Sequence, residues 1–391
     1  MADIQKRRLE DVHISANAAG LMSCVGPIQL MQFSDSCMSE DYKLLELPPK
    51  LLERLQQGES LVIRGDNQED AVLCTEDSTY EIKLADTSNA MLLTPSCQVF
   101  KDNGFKDQKR DLVTHQICSC HSEYYEVRPC RPKLYKIRSL LQESQYKGQE
   151  YENDGNLKPK CSLQDILDVV QGSEKEIKES LCKIGALQMD GFWRLLDVEY
   201  EEKVVISILT LLEEKDWSWR NIPSEECCDV LEELEPREII EHCLNRYGER
   251  ISGEGQPYFA LDEEKICRFY AEYLLRPTDR FSYEEFMESW QQSVPDGMTT
   301  KEEHLAGIAL VDMKSHPPVV IYFPHYNLPE KPETRFIKLF RTRSKWTFDE
   351  IQPYIKDLVE SGQSLNALLL KYARSSKDES GRKVYNSKKP L

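Results

Sequence analysis

The chain has 391 residues, 40% hydrophobic and 30% charged, which is long enough for two or more domains and suggests several small cores rather than one large one. With 50 Lys and Arg against 68 Asp and Glu, its net charge of −18 disfavours unaided binding to phosphate backbones, so any DNA contact has to come from a local basic patch. The 13 cysteines are odd in number and scattered, and read as reduced thiols of an intracellular protein rather than a disulfide framework.

The opening MADIQKRRLEDV is followed by no long apolar run, so it is not a secretory signal. Residues 1–41 are set apart as a variable segment. From 42 to 130 the pattern is strand-like: YKLLEL, SLVIRG, AVLCT, TYEIKLADT and AMLL are short runs bounded by turn formers. They predict an antiparallel sheet or small barrel, interrupted by one helix at PPKLLERLQQG, where prolines start the helix and Gly58 stops it. Strand character returns in LVTHQICSCHSEYYEVRP and ends at a basic run holding Arg128, Arg131, Lys133, Lys136 and Arg138. The domain boundary falls there, because the apolar period changes from 2 to 3.6.

The second half, 131–391, repeats itself. CSLQDIL, FSYEEFM and WTFDEIQ each put Ser or Thr ahead of an acid, as in a capping box, and SEECCDVL is a weaker copy. These starts recur roughly every sixty residues, a period suited to tandem domains. Each period reads as three helices and a hairpin, the winged-helix order. The units are 131–197, 198–261, 262–328 and 330–391, the first of them divided by the polar stretch QYKGQEYENDGNLKPK. The fold class is thus α+β: an antiparallel, barrel-like N-terminal region followed by tandem winged helices, three to four in number.

Catalytic chemistry is sought and not found. There is no phosphate-binding G-x-x-x-x-G-K-[ST] loop, no nucleophile elbow and no H-E-x-x-H; Gly253-Glu254-Gly255 reads as a turn. No enzyme activity and no cofactor are expected. The cluster His115, Cys118, Cys120, His121 resembles a metal set, but on a strand the cysteines share one face and the histidines the other, so zinc needs a sharp bend. Buried strand cysteines are the preferred reading. The acidic belt from Asp197 to Glu241, 15 acids and 4 bases, reads as solvated helix faces or a docking face for a basic partner. Trp193, Trp217, Trp219, Trp290 and Trp346 read as packing between helices.

The last 62 residues reverse the sign, with 14 Lys and Arg against 8 acids. Lys371 and Arg374 follow the third helix of the last unit, and Arg382, Lys383, Lys388 and Lys389 flank its wing. Cations on both elements are expected to straddle a DNA backbone with steep salt dependence and little sequence preference; the alternative is a solvated tail. In that third helix, SLNALLLKYARSS, Asn366 is offered as a base reader, but apolar residues dominate it.

LLEL, SLVIRGD, AVLCTEDSTYEIKLADTSN, RPKL, EHCL, WQQSVPDGM, GIALVD and KVYNSKKP together resemble the DCC subunit of sister chromatid cohesion, in a vertebrate form, over most of the chain beyond residue 40. The resemblance implies a non-enzymatic nuclear subunit of the alternative RFC-like clamp loader. Its strands, here Leu61, Val62, Ile63, Val72, Leu73, Tyr80, Ile82 and Leu84, would join those of the large ATPase subunit and a small third subunit in a composite barrel. Its winged helices would bind DNA and dock to DNA polymerase epsilon, while the complex, with the RFC small subunits, loads PCNA. No membrane partner is implied. The alternative is a winged-helix regulator of DNA or RNA with no loader role, which would need base-reading side chains.

Overall fold

The computed structural model describes residues 8–21, 29–35, 41–65, 69–95, 113–130, 132–152, 159–252, 257–359, 364–378 and 380–388. In chain order the N-terminal third carries α1 (Leu9–Ala18), β1 (Gln29–Phe33), β2 (Leu45–Glu46), α2 (Pro49–Gln56), β3 (Val62–Arg64), β4 (Val72–Cys74), β5 (Thr79–Leu93), β6 (Val113–Ile117) and β7 (Ser119–Pro129). The chain is α+β. It divides into two compact units, Met1–Leu61 with Tyr80–Arg128, and Val62–Thr79 with Pro129–Leu391.

In the first unit β7 lies between β2 and β5. Where the strand pattern suggests antiparallel pairing throughout, β1 runs parallel to β6 and β2 parallel to β7. Both pairs join segments far apart in sequence, as parallel pairing requires. The runs at 79–87 and 90–93 form one 15-residue strand, because Thr87-Ser88-Asn89 stays extended instead of turning.

The β3–β4 hairpin belongs to the second unit. Arg64 Nη1 donates to the Leu167 carbonyl at 2.8 Å, Gln171 Nε2 to the Asp70 carbonyl at 2.7 Å, and the Ser173 amide to Thr79 Oγ1 at 2.9 Å.

Four repeats follow in the same unit. The first holds α3 (Tyr135–Gln142), β8 (Cys161–Ser162), α4 (Leu163–Val169), α5 (Glu174–Lys183), β9 (Leu187–Met189) and β10 (Phe192–Arg194). The second holds α6 (Val198–Glu214), β11 (Ile222–Pro223), α7 (Ser224–Leu231), α8 (Arg237–Tyr247), β12 (Gly248–Ile251) and β13 (Tyr258–Leu261). The third holds α9 (Glu263–Leu275), β14 (Arg280–Ser282), α10 (Tyr283–Ser293), β15 (Ala309–Asp312) and β16 (Val319–Tyr322). The fourth holds α11 (Pro332–Thr342), α12 (Phe348–Ile351), α13 (Leu365–Tyr372), β17 (Ala373–Lys377) and β18 (Lys383–Ser387).

In the first three repeats the short strand ahead of the second helix pairs with the last strand of the hairpin, giving the same antiparallel three-stranded order each time. In the fourth, Trp346 takes that place by a backbone bridge to Tyr385. Asp190 and Gly191, at φ 51° and 84°, supply the two positive angles that a tight hairpin turn needs. The third repeat departs from the helical expectation at TTKEEHL, which forms only a 3-10 turn at Glu302–Leu305. The amides of Thr299 and Thr300 are taken by Glu263 and Gln291 side chains, so the helix has no room to start earlier.

Ser162 and Thr347 form complete capping boxes with Asp165 and Glu350, and so does Ser173 with Glu176. Ser282 caps without a side-chain bond, and Ser224 lies inside its helix because Pro223 holds the cap position. The first and fourth repeats have cores around Ile166 and Ile177 and around Trp346 and Leu369, though Leu310 and Leu328 of the third join the latter and Tyr146, Leu187 and Leu196 of the first join the core of the second and third. Rather than keeping separate cores, the second and third share one, running from Val204 and Ile240 to Phe286 and Trp290. Trp290 and Trp346 are fully buried. No helix among the described residues is long and apolar enough to cross a membrane.

Candidate functional site

The basic end of the chain is built on α13 and the β17–β18 ribbon. Ser364 Oγ accepts from the Ala367 amide at 3.2 Å and starts the helix. Leu368 and Leu369 face the core and leave Asn366, Leu370 and Lys371 exposed. Because the third helix runs directly into β17, the helix cations and the ribbon cations adjoin. Arg374 stands opposite Asn386, and its Nε donates to Asn386 Oδ1 at 3.5 Å. Arg382 donates to Asp378 Oδ2 at 3.1 Å and to Ser380 Oγ at 2.9 Å. Hydrogen bonds from Ser380 above all, and from the backbone and side chain of Arg382, hold the Asp378 carboxyl down at about 2.

The Lys383 ammonium lies 5.2 Å from the Tyr385 ring centroid, and that of Lys371 lies 5.1 Å from the Tyr372 ring. Lys388 is used structurally: its Nζ donates to the Leu370 carbonyl and, at 3.0 Å, to that of Lys371, satisfying the last turn of α13. Lys389 lies outside the described residues. The structure adds Lys377, which register places directly opposite Lys383. Its signal in sequence is only its distance ahead of the Gly381 turn, which fixes pairing once the hairpin is known.

The basic run after β7 is mostly spent within the protein. Arg128 pairs with Glu126 at 2.5 Å, and Lys133 and Lys136 converge on Glu69 at 3.0 and 3.2 Å. The hydrogen bond from Lys133 is the chief reason the Glu69 carboxyl lies below its usual range. The Arg138 guanidinium lies 5.2 Å from the Tyr326 ring, so it joins the first repeat to the third.

The candidate partner strands fall in both units. Val62 and Ile63 on β3 are exposed, Val72 and Leu73 on β4 are buried, Leu61, Tyr80 and Ile82 are half-buried, and Leu84 on β5 is exposed. Among the described residues of the first unit, Leu51, Ile117 and Val127 are the buried apolar side chains, whereas Met31, Phe33, Leu45, Leu84 and Leu92 are exposed. None of the three hydrophobic cores contains a described residue of that unit.

The buried face of β6 and β7 carries His115, Ile117, Ser119 and His121, with His121 Nε2 2.7 Å from Ser119 Oγ. The cysteines take the other face, Cys118 half-buried and Cys120 exposed, contrary to the expectation of buried strand cysteines. The apolar Ile117 and Val127 are all odd-numbered and turn that face inward. Among the described residues no group of three or more His, Cys, Asp or Glu side chains is placed to hold a metal.

The acidic belt partly neutralises itself. Arg237 is ringed by Glu225, Asp229, Glu241 and Glu232 at 2.5 to 3.5 Å. Glu235 is buried, accepts from Tyr200 Oη and pairs with Lys203 at 2.7 Å.

These features define a class: an α+β repeat protein with a strand unit at one end of the chain whose described residues bury few apolar side chains and expose several, and a cationic hairpin at the other. The family model described as sister chromatid cohesion protein Dcc1 matches residues 42–355. The Xenopus laevis sister chromatid cohesion protein DCC1 is 43% identical over 365 residues, covering 93% of each chain. The human protein of that name is 42% identical over 377 residues, 96% of this chain and 95% of its own. That of Saccharomyces cerevisiae is 25% identical over 361 residues, 85% and 93% of the two chains. The chain belongs to the Dcc1 family of sister chromatid cohesion proteins, and its role lies in cohesion.

Proposed function

We propose that this chain is a non-catalytic subunit of an alternative RFC-like clamp loader that loads PCNA onto DNA in the nucleus and thereby supports cohesion. The observation that carries the reading is the first unit. With three buried apolar side chains among its described residues and a row of exposed ones on its strands, it has little to offset the entropy of ordering its chain. Strands from partner subunits, namely the large ATPase subunit and a small third subunit, would cover these edges by β-augmentation.

The repeats then act as winged helices. The order of helix, strand, two helices and hairpin, complete in the first two repeats and kept with a 3-10 turn for the last helix in the third and a single bridge for the strand in the fourth, suits a third helix and wing that meet a partner. On the fourth repeat the exposed cations Lys371, Arg374, Arg382 and Lys383 suit phosphate contact without base readout, which favours the loader over a sequence-reading regulator. The remaining repeats are left to dock DNA polymerase epsilon. Hydrogen exchange on the full chain, alone and co-expressed with the two partner subunits, tests this. Amides of β1, β5 and β7 should become protected on assembly, and unchanged exchange there would overturn the reading.

A further inference from the structure

The β17–β18 ribbon groups one serine with two lysines. Lys377 and Lys383 stand directly opposite each other and both are exposed. Neither has a carboxylate partner among the described residues. Like charges facing across a two-stranded ribbon repel, and an anion between them relieves that repulsion. Ser375 lies two residues before Lys377 on the same face, opposite Tyr385 and therefore diagonal to Lys383. It is exposed, and among the described residues its hydroxyl has no hydrogen-bond partner and its strand has a neighbour on one side only. That is the extended, open-edged presentation a kinase cleft requires. Asp378 follows three residues later, the spacing favoured by acid-directed serine kinases. Its side chain is 19% exposed and accepts from Ser380 and Arg382, so the turn that holds it has to open for a kinase to read it.

We propose that Ser375 is a phosphorylation site for an acid-directed serine kinase and that Lys377 and Lys383 hold the phosphoserine. In the step, Ser375 Oγ bonds to the γ-phosphorus of ATP as the bond to ADP breaks, and the hydroxyl proton passes to the kinase's base. The product carries about −1.5 to −2 charges at neutral pH, and it takes the place between the lysines that a DNA phosphate would otherwise occupy. The modification turns DNA contact down at this ribbon; that consequence rests on the DNA reading above, whereas the site itself does not.

The full chain is treated with ATP and a casein-kinase-2-type enzyme, the phosphate is mapped by mass spectrometry, and binding to a random-sequence duplex is titrated over salt. Phosphate is expected on Ser375 and absent there in Ser375→Ala. Duplex affinity should drop roughly tenfold and the salt slope by about two, as for two lost phosphate contacts. Phosphate confined to Ser376 or Ser380, or none at all, overturns the site. Phosphate on Ser375 with unchanged affinity overturns the switch. Unmodified protein that binds no duplex overturns the DNA reading, and the mapping still decides the modification. Phosphorus NMR separates the lysines' role: the phosphoserine should titrate below its usual value of about 6 and return to it in the Lys377→Ala, Lys383→Ala variant. Identical titration in both forms overturns their part.

Discussion

Arg194 and Glu152 meet through two N–H···O bonds, Nη2 to Oε1 at 2.9 Å and Nη1 to Oε2 at 3.1 Å, with the arginine only 2% exposed. The same guanidinium donates to the carbonyls of Ser144 and Gln145 at 2.6 and 3.2 Å. It thereby ties the segment after α3 to the first hairpin. Arg335 repeats the device in the fourth repeat, bonding both Asp357 oxygens and the carbonyls of Pro329 and Tyr354.

Removing one partner of such a pair strands a buried charge, so Glu152→Gln should destabilise the chain by about 3 kcal/mol at pH 7. The bond from Arg194 holds the Glu152 carboxyl below its ordinary value of 4.5. Its contribution is therefore fully present above about 4.5 and is lost as pH falls through the lower folded value. Thermal unfolding of both forms should show the gap closing on acidification; a gap independent of pH would remove the ion pair from the account.

Gly185 sits at φ +74°, and a Cβ there would come within 1.7 Å of Arg246 Nη1. Arg246 is engaged with Glu201 at 3.1 Å, so it cannot move away without loosening the first repeat's join to the second. Gly185→Ala should lower stability by about 2 kcal/mol, combining left-handed strain with the clash. Adding Arg246→Ala should recover the clash portion but not the strain. Urea midpoints of the two singles and the double give the coupling, and strict additivity would rule the clash out.

Burial pushes the Cys227 thiol up to about 12 and the Cys228 thiol up to about 11. Since the thiolate is the nucleophile, neither should react with iodoacetamide at pH 8 in the folded chain, while exposed Cys120 and Cys182 should. Peptide mapping before and after adding denaturant reads this directly. Alkylation of Cys227 in the native protein would mean that α7 opens on the time scale of labelling.

Periodicity made the four repeats legible, because a helix that must bury one face writes its period into its apolar residues. Capping boxes at Ser162 and Thr347 were legible for the same local reason. What depended on tertiary partners was not. Nothing near Val204 or Trp290 announces that the second and third repeats share a core, and nothing in SLVIRG announces that β3 docks on Leu167 of the first repeat. The odd-numbered face of β6 and β7 turned inward through Ile117 and Val127, against the expectation of buried cysteines, because the alternation alone marks two faces without saying which is inside. At the basic end, composition found the cations, yet only the register separated Lys377 and Lys383, which face each other, from Lys388, which closes a helix.

That separation gives the last prediction. Lys388 donates to carbonyls that end α13, so Lys388→Ala should cost the fourth repeat about 1 kcal/mol of stability, the usual worth of such a bond. Among the described residues Arg374 makes only a long contact, to Asn386 at the exposed ribbon, so Arg374→Glu should leave unfolding nearly unchanged. Duplex affinity should respond in the opposite sense: Arg374→Glu weakens it and lowers the salt slope, because a phosphate contact becomes a repulsion. Unfolding midpoints and duplex titrations of both variants of the full chain form a two-by-two comparison. If Lys388→Ala alone weakened duplex binding while stability held, the helix-closing role of Lys388 would give way to a direct one, and the phosphate-contacting face would shift from the ribbon to the chain beyond it.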